Sequence, residues 1–160
     1  MGTRSLTRVY DGGEIVVNMY RQMDGYPQCH GQELAEFLKD RIVVNGMRLN
    51  DPPKTSNGPG CLAAQMVAEF KGGEPGHIYL YPTDTRGVGE EYVYNIFADW
   101  GEPIRICIVC TWSSGEKTIF YGLVSEFIKY CEDPPMDDDD GDYTPVIELA
   151  GNPWEEKKRS

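Results

Sequence analysis

Residues 24–37, DGYPQCHGQELAEF, gather Asp24, Tyr26, Cys29 and His30 just ahead of a run with helical spacing. An imidazole beside a thiol and a carboxylate is raw material for acid/base or nucleophilic chemistry. It is equally the composition of an ordinary strand-to-helix corner, where turn residues lead into a first helical turn. A thiol–imidazole pair needs partners that meet in space, which sequence neighbours do not easily do, and the only other histidine is His77, in a different element. A zinc-type site needs three or four converging ligands, and no H-x-x-x-H or H-x-D spacing occurs. The expectation is no catalytic residue, no metal and no cofactor, with His30 a hydrogen-bonding group at the helix start or a ligand contact.

Tyrosines form a second pattern. Tyr79 and Tyr81 alternate along one β-type run, and Tyr92 and Tyr94 along the next, so each pair shares one face of its strand. If the two strands pair, four phenols crowd one surface. That surface is either a structural aromatic ladder or a stacking platform for a base or other flat ligand. Arg4, Arg8 and Arg21 fall in the first two runs, and Arg4 and Arg8 share parity and hence a face. They read as surface charge or as a phosphate clamp. Gly25, Gly31, Gly58 and Gly60 leave backbone N–H groups exposed at two helix starts, where anions are favoured. Neither loop matches a known phosphate-binding motif. Glu90 and Glu91 face opposite ways as strand neighbours, so they form no acid/base dyad. The predicted ligand-contact set is Arg4, Arg21, Asp24, Tyr26, His30, Tyr79, Tyr81, Tyr92 and Tyr94.

These residues need elements to position them. "TRSLTRVYDGGEIVVNMYRQ" reads as a β-hairpin turning at Asp-Gly-Gly, with its second strand central. "GQELAEFLKDR" places Leu34, Phe37 and Leu38 at helical spacing. Residues 42–60 read as a long loop broken by Asn-Gly and Pro-Pro. The next run has Pro59 near its first turn and glycines past its end, which suits a helix burying Leu62, Ala63, Met66, Val67 and Phe70. Three β-rich runs then suggest an antiparallel meander, "EKTIFYG" one more strand, and "LVSEFIKYCED" a last helix. Segregated strands and helices indicate an α+β fold, with a mainly antiparallel sheet of about five strands and two to three helices packed on one face. Residues 1–131 form the predicted domain. Residues 132–160, with Asp137–Asp140, read as an acidic, flexible tail.

The formal charge is −11, and −7 of it lies from Glu132 onward, where ten acids face three bases. No basic stripe is visible, which argues against nucleic-acid binding. No apolar run approaches the about 18 residues of a membrane span, and the opening lacks a secretory h-region. The chain reads as soluble and intracellular. The five cysteines are odd in number and irregularly spaced, which predicts free thiols. Cys107 and Cys110 spell C-x-x-C inside a strand-like run, but side chains three apart on a strand face opposite ways and do not grip one metal.

"MGTRSLT", "YRQMDGYPQCHGQELAEFL", "NGPGCLAAQMVAEFK" and "IYLYPTD…EEYVYNI" together resemble a group of small bacteriophage and prophage proteins. The resemblance covers residues 1–98 and implies a phage product working in the host bacterial cytoplasm; it brings no settled activity with it. Cys29 departs from it, because the similar turn has glycine there. The leading functional expectation is binding and sequestration of a small nucleotide-derived ligand without catalysis, an anti-defence role. Aromatic groups would stack on a base, and arginines with backbone amides would hold phosphate. One alternative is a protein-binding module acting on a host factor through the acidic tail. Another is a nucleotide-processing enzyme with His30 as acid/base and Asp24 orienting it. A homo-oligomer or a complex with a host protein is compatible with each.

Overall fold

A computed structural model of the chain describes residues 2–134. The expected acidic tail therefore lies, from residue 135 onward, outside the described residues. The order of elements begins with the hairpin β1 (Arg4–Asp11) and β2 (Glu14–Arg21). A π-helical turn over Pro27–Gly31 runs directly into α1 (Gln32–Leu38). Next come β3 (Ile42–Val44), β4 (Thr55–Asn57), α2 (Gly58–Lys71) and β5 (Ile78–Leu80). The chain continues through β6 (Glu90–Phe97), β7 (Arg105–Trp112), β8 (Gly115–Leu123) and α3 (Val124–Glu132). The hairpin turns where predicted: Gly12 and Gly13 adopt φ of 56° and 96°, which L side chains rarely do. α2 ends at Gly72 in the left-handed region, its N–H donating to the Ala68 carbonyl.

The fold is α+β. Its main sheet has six strands in the order β5-β2-β1-β6-β7-β8, and β3 and β4 pair in a small parallel sheet of their own. That second sheet lies where the sequence suggests only a loop, and the strand count exceeds the expected five. Every pairing in the main sheet is antiparallel except β1 with β6. Val93–Ile96 of β6 are buried without interruption, as a parallel strand covered on both faces requires.

Three helices pack on one face. Leu34, Leu38, Leu62, Met66 and Phe127 meet Val9, Met19, Ile96, Ile106 and Ile108 in the larger core. Burying each such side chain contributes about 1.5–3 kcal/mol. The second face carries a smaller core of Leu6, Tyr20, Val93, Cys107, Val109 and Tyr121. Cys107 and Cys110 therefore do fall on opposite faces, and none of the five cysteines, all among the described residues, is in a disulfide.

Topology gives the second face its cover. β5 pairs with β2 and β6 with β1, so consecutive strands flank the hairpin on opposite sides. The connection 81–89 must cross the hairpin, and it does so on the face away from the helices, where Tyr81 and Val88 pack against the smaller core. The sequence expectation of a β5-β6-β7 meander fails at its first step for this reason.

The π turn is held tight against α3. A Cβ built on Gly31 would stand 2.8 Å from the Cys131 sulfur. Gly31 is in the right-handed helical region, so alanine there would otherwise help by about 1 kcal/mol. Gly31→Ala should instead destabilise the chain by about 1–3 kcal/mol. Adding Cys131→Ala should return part of that loss. Urea midpoints of the single and double variants test this; a neutral single variant would overturn it.

Candidate functional site

The opening stretch resolves into a buried network on the helix side. Arg21 ends β2 on the same face as Met19 and is 5% exposed. Its Nε donates to the Met23 carbonyl at 2.7 Å, and Nη1 reaches Nδ1 of His30 at 3.2 Å. The same Nη1 pairs with the half-exposed Glu33 carboxylate, and Nη2 approaches the Cys29 sulfur at 3.6 Å. His30 is fully buried, with Nε2 2.7 Å from Thr7 Oγ1. Because a guanidinium only donates, Nδ1 is the acceptor and Nε2 carries the proton toward Thr7. The ring stands edge-on to Phe70 and Tyr94, at 5.1 and 5.0 Å. Tyr94 is buried too and donates to the Gly25 carbonyl at 2.7 Å.

The carboxylate of Asp24 does not orient this imidazole. Asp24 is exposed, has φ 58°, and accepts the His30 backbone N–H through its carbonyl at 3.2 Å. Tyr26 likewise contributes its carbonyl to Cys29 and Gly31 N–H, at 3.0 and 3.4 Å, while its ring stays exposed. Burial pushes the Cys29 thiol up, against the opposing pull of Arg21, so it stays protonated at neutral pH.

Burial, reinforced by Arg21 and His77, lowers His30 from its ordinary value to about 3. The unfolded chain therefore takes up a proton near pH 6.5 that the folded chain refuses until about pH 3. The stability tied to neutral His30 is complete above that upper value and is lost as pH falls through the window. The slope is about 1.4 kcal/mol per pH unit. Between pH 7.5 and 5.0 the loss should reach about 2 kcal/mol, read from urea midpoints. His30→Gln should flatten this slope; an unchanged slope would place the effect elsewhere.

The tyrosines are not brought together. β5 pairs with β2, not β6. Tyr79 and Tyr81 gather around Tyr20, at centroid distances of 6.0 and 5.1 Å, on the second face. Tyr92 and Tyr94 sit on the helix face, 6.4 Å apart. Arg4 is half-buried with its guanidinium against Gly89, and Arg21 lies on the opposite face, so the two arginines form no joint clamp. The nine expected contact residues are thus divided among a sealed interior, a surface turn and two faces of one sheet.

A different set converges. On the second face Asn18, Arg8 and Asn95 stand side by side on β2, β1 and β6, in direct register. Neighbouring strands lie about 4.8 Å apart. Arg8 is 4% exposed, Asn18 1% and Asn95 0%. The crossing segment meets two of them: Asn18 Nδ2 donates to the Pro82 and Thr85 carbonyls, both at 3.1 Å, and Arg8 Nη2 to the Thr85 carbonyl at 3.0 Å. Arg8 also hydrogen-bonds the Tyr10 phenol, which burial nonetheless raises above its ordinary value. Four polar atoms remain without a hydrogen-bond partner: Arg8 Nε, Asn18 Oδ1, and both Nδ2 and Oδ1 of Asn95. Elsewhere among the described residues such atoms are scattered singly, at Ser5, Thr55 and Trp112.

Beside this row the same face is aromatic. Tyr10 stacks on Phe97 at 4.9 Å and 29°, and Phe97 stands edge-on to Tyr121 at 6.5 Å. The crossing segment is tied down by Glu90. Burial would raise its carboxyl, but the Gly87 N–H, the Arg86 guanidinium and further backbone N–H groups hold it below the ordinary value. Arg86 bridges Glu90, at 2.9 Å, to Glu116 on β8.

Sequence reasoning left Asn18, Asn95 and Arg8 out of the predicted set, although it weighed Arg8 with Arg4 and Arg21 as surface charge or a phosphate clamp. The available signal was an asparagine inside each of two apolar strands, "VVNMY" and "VYNIF". A buried polar residue is more informative than an exposed apolar one, yet only the register puts the two amides on either side of one arginine.

An open cleft of about 430 Å³ lies by α1, lined by Glu33, Glu36, Phe37, Arg41, Lys54 and Glu69. Its cations already serve the fold. Arg41 lies 4.0 Å over the Phe37 ring and bonds Gln65, while Lys54 holds the Glu36 and Lys39 carbonyls. Among the described residues no group of three His, Cys, Asp or Glu side chains is placed to hold a metal ion, and no helix is long and apolar enough to cross a membrane. The chain matches no family model, no curated protein and no solved structure.

Proposed function

We propose that this protein binds and holds a small nucleotide-derived ligand, without transforming it, on the second face of its sheet, where the crossing segment must lift from the buried row of Arg8, Asn18 and Asn95 to admit it. One observation carries this reading: the adjacent buried side chains with four unpartnered polar atoms. Each buried polar atom left without a partner costs about 1–3 kcal/mol. Unpaired buried polar groups in a fold mark a place for an ordered water, an ion or a ligand, and such breaks of local consistency concentrate at functional sites. The groups are also of a binding kind. Amides and guanidinium orient and discriminate through fixed donor and acceptor positions. The adjoining aromatic rings suit a planar ligand. With the resemblance to phage proteins, the setting is the host bacterial cytoplasm and the role is removal of a signalling nucleotide from host defence.

The test is native mass spectrometry of the full chain recovered from phage-infected bacteria. A phosphate-bearing small molecule should accompany the protein and leave intact on heating, and an Asn95→Leu chain should lose it. A molecule released in cleaved form would replace this reading with catalysis. An empty protein held by a host protein would replace it with an interaction module.

A further inference from the structure

Resting on that reading, we infer that the polar row grips the donor–acceptor edge of a nucleobase, and that the ligand's phosphates lie elsewhere. The argument is an inventory. Arg8 Nε and Asn95 Nδ2 are donors that need acceptors; Asn18 Oδ1 and Asn95 Oδ1 are acceptors that need donors. A phosphate supplies acceptors alone. It would satisfy the two donors and set its negative oxygens against two carboxamide oxygens. An apolar ring would satisfy none of the four.

A heterocycle edge with a ring or exocyclic N–H beside a carbonyl or ring nitrogen meets both atoms of the Asn95 amide at once. This is the bidentate geometry by which asparagine reads bases. Both Asn95 amide atoms are unpartnered, so the match holds in either orientation of the amide. Arg8 and Asn18 then supply one further donor and one further acceptor from the same row. Tyr10 and Phe97 are two residues beyond Arg8 and Asn95 on their strands, hence on the same face, and their rings stack on each other beside the row, an aromatic border for a planar ligand. Neither the ribose nor the phosphates need enter the row. They would leave toward the far end of the crossing segment, where Arg4 lies against Gly89 and Arg86 is paired with Glu90 and Glu116.

The experiment is calorimetric titration of the full-length protein, freed of bound ligand, with adenosine, inosine and uridine, and separately with inorganic phosphate and pyrophosphate. At least one nucleoside should bind without any phosphate. Methylating the donor nitrogen of that nucleoside should weaken binding about tenfold or more, as loss of a bidentate base contact does. Asn95→Asp, which replaces the amide donor with an acceptor, should weaken it to a similar degree. The methylated ligand reports on unaltered protein, so the result does not depend on the variant folding. Phosphate or pyrophosphate binding, with no nucleoside bound, would overturn the inference and leave the binding reading intact. No binding by either class, with ordered water alone on Asn95, would overturn both.

Discussion

Asn95→Leu should raise the stability of the ligand-free protein by about 1–3 kcal/mol. Asparagine at this position is fully buried, and neither amide atom has a partner. The neighbours on its face include Val93 and Cys107 of the smaller core. Leucine is close in volume and brings no polar atom, so it removes two desolvation penalties and adds apolar contact. For a chain of this size the melting temperature should climb roughly 3–10 °C. The same variant should lose the bound ligand, which is the expected exchange of stability for function. Differential scanning calorimetry on protein freed of ligand measures the first effect and native mass spectrometry the second. A melting temperature lowered by several degrees would mean that the amide serves the fold, and the row would lose its standing as a site.

His30→Ala should have the opposite sign and a larger size, a loss of about 3–5 kcal/mol. The ring fills fully buried space between Phe70 and Tyr94. Its removal leaves a void and strips a partner from both Thr7 Oγ1 and Arg21 Nη1. Arg21 remains buried with only the half-exposed Glu33 as counter-charge, and an uncompensated buried cation is among the costlier defects. The Arg21→Ala and His30→Ala losses should therefore fall well short of additive when combined, because either one already breaks the network. Denaturant unfolding of the two single variants and the double variant gives that coupling. Fully additive losses would show that the two residues act independently.

Local patterns carried the secondary structure a long way. Asp11-Gly-Gly announced the hairpin, and Pro59 with Gly72 bounded α2. The spacing of Leu34, Phe37 and Leu38 found the face of α1 that is buried. Each signal spans a turn or two, and so do the interactions behind it. The 42–57 region failed as a plain loop because β3 and β4 stabilise each other only across ten intervening residues. Neither strand has a period long enough to recognise alone. The turn at Asp24–Gly31 was legible as a cap, and its π-helical geometry was not. That geometry depends on His30 being drawn inward between Thr7 and Arg21.

By itself the sequence determined the fold class and, from strand parity, the placement of Cys107 and Cys110 on opposite faces of β7. Those follow from composition and from a period of two, which each strand carries internally. Only the tertiary structure decided which strands are neighbours. β6 lies against β1, so Asn95 comes beside Arg8, and Tyr92 and Tyr94 part company with Tyr79 and Tyr81. It also decided that Arg21 and His30 are interior while the crossing segment covers Arg8 and Asn18. Pairing partners are chosen by the free energy of the whole sheet and its two cores, and no single strand records that choice in its own residues.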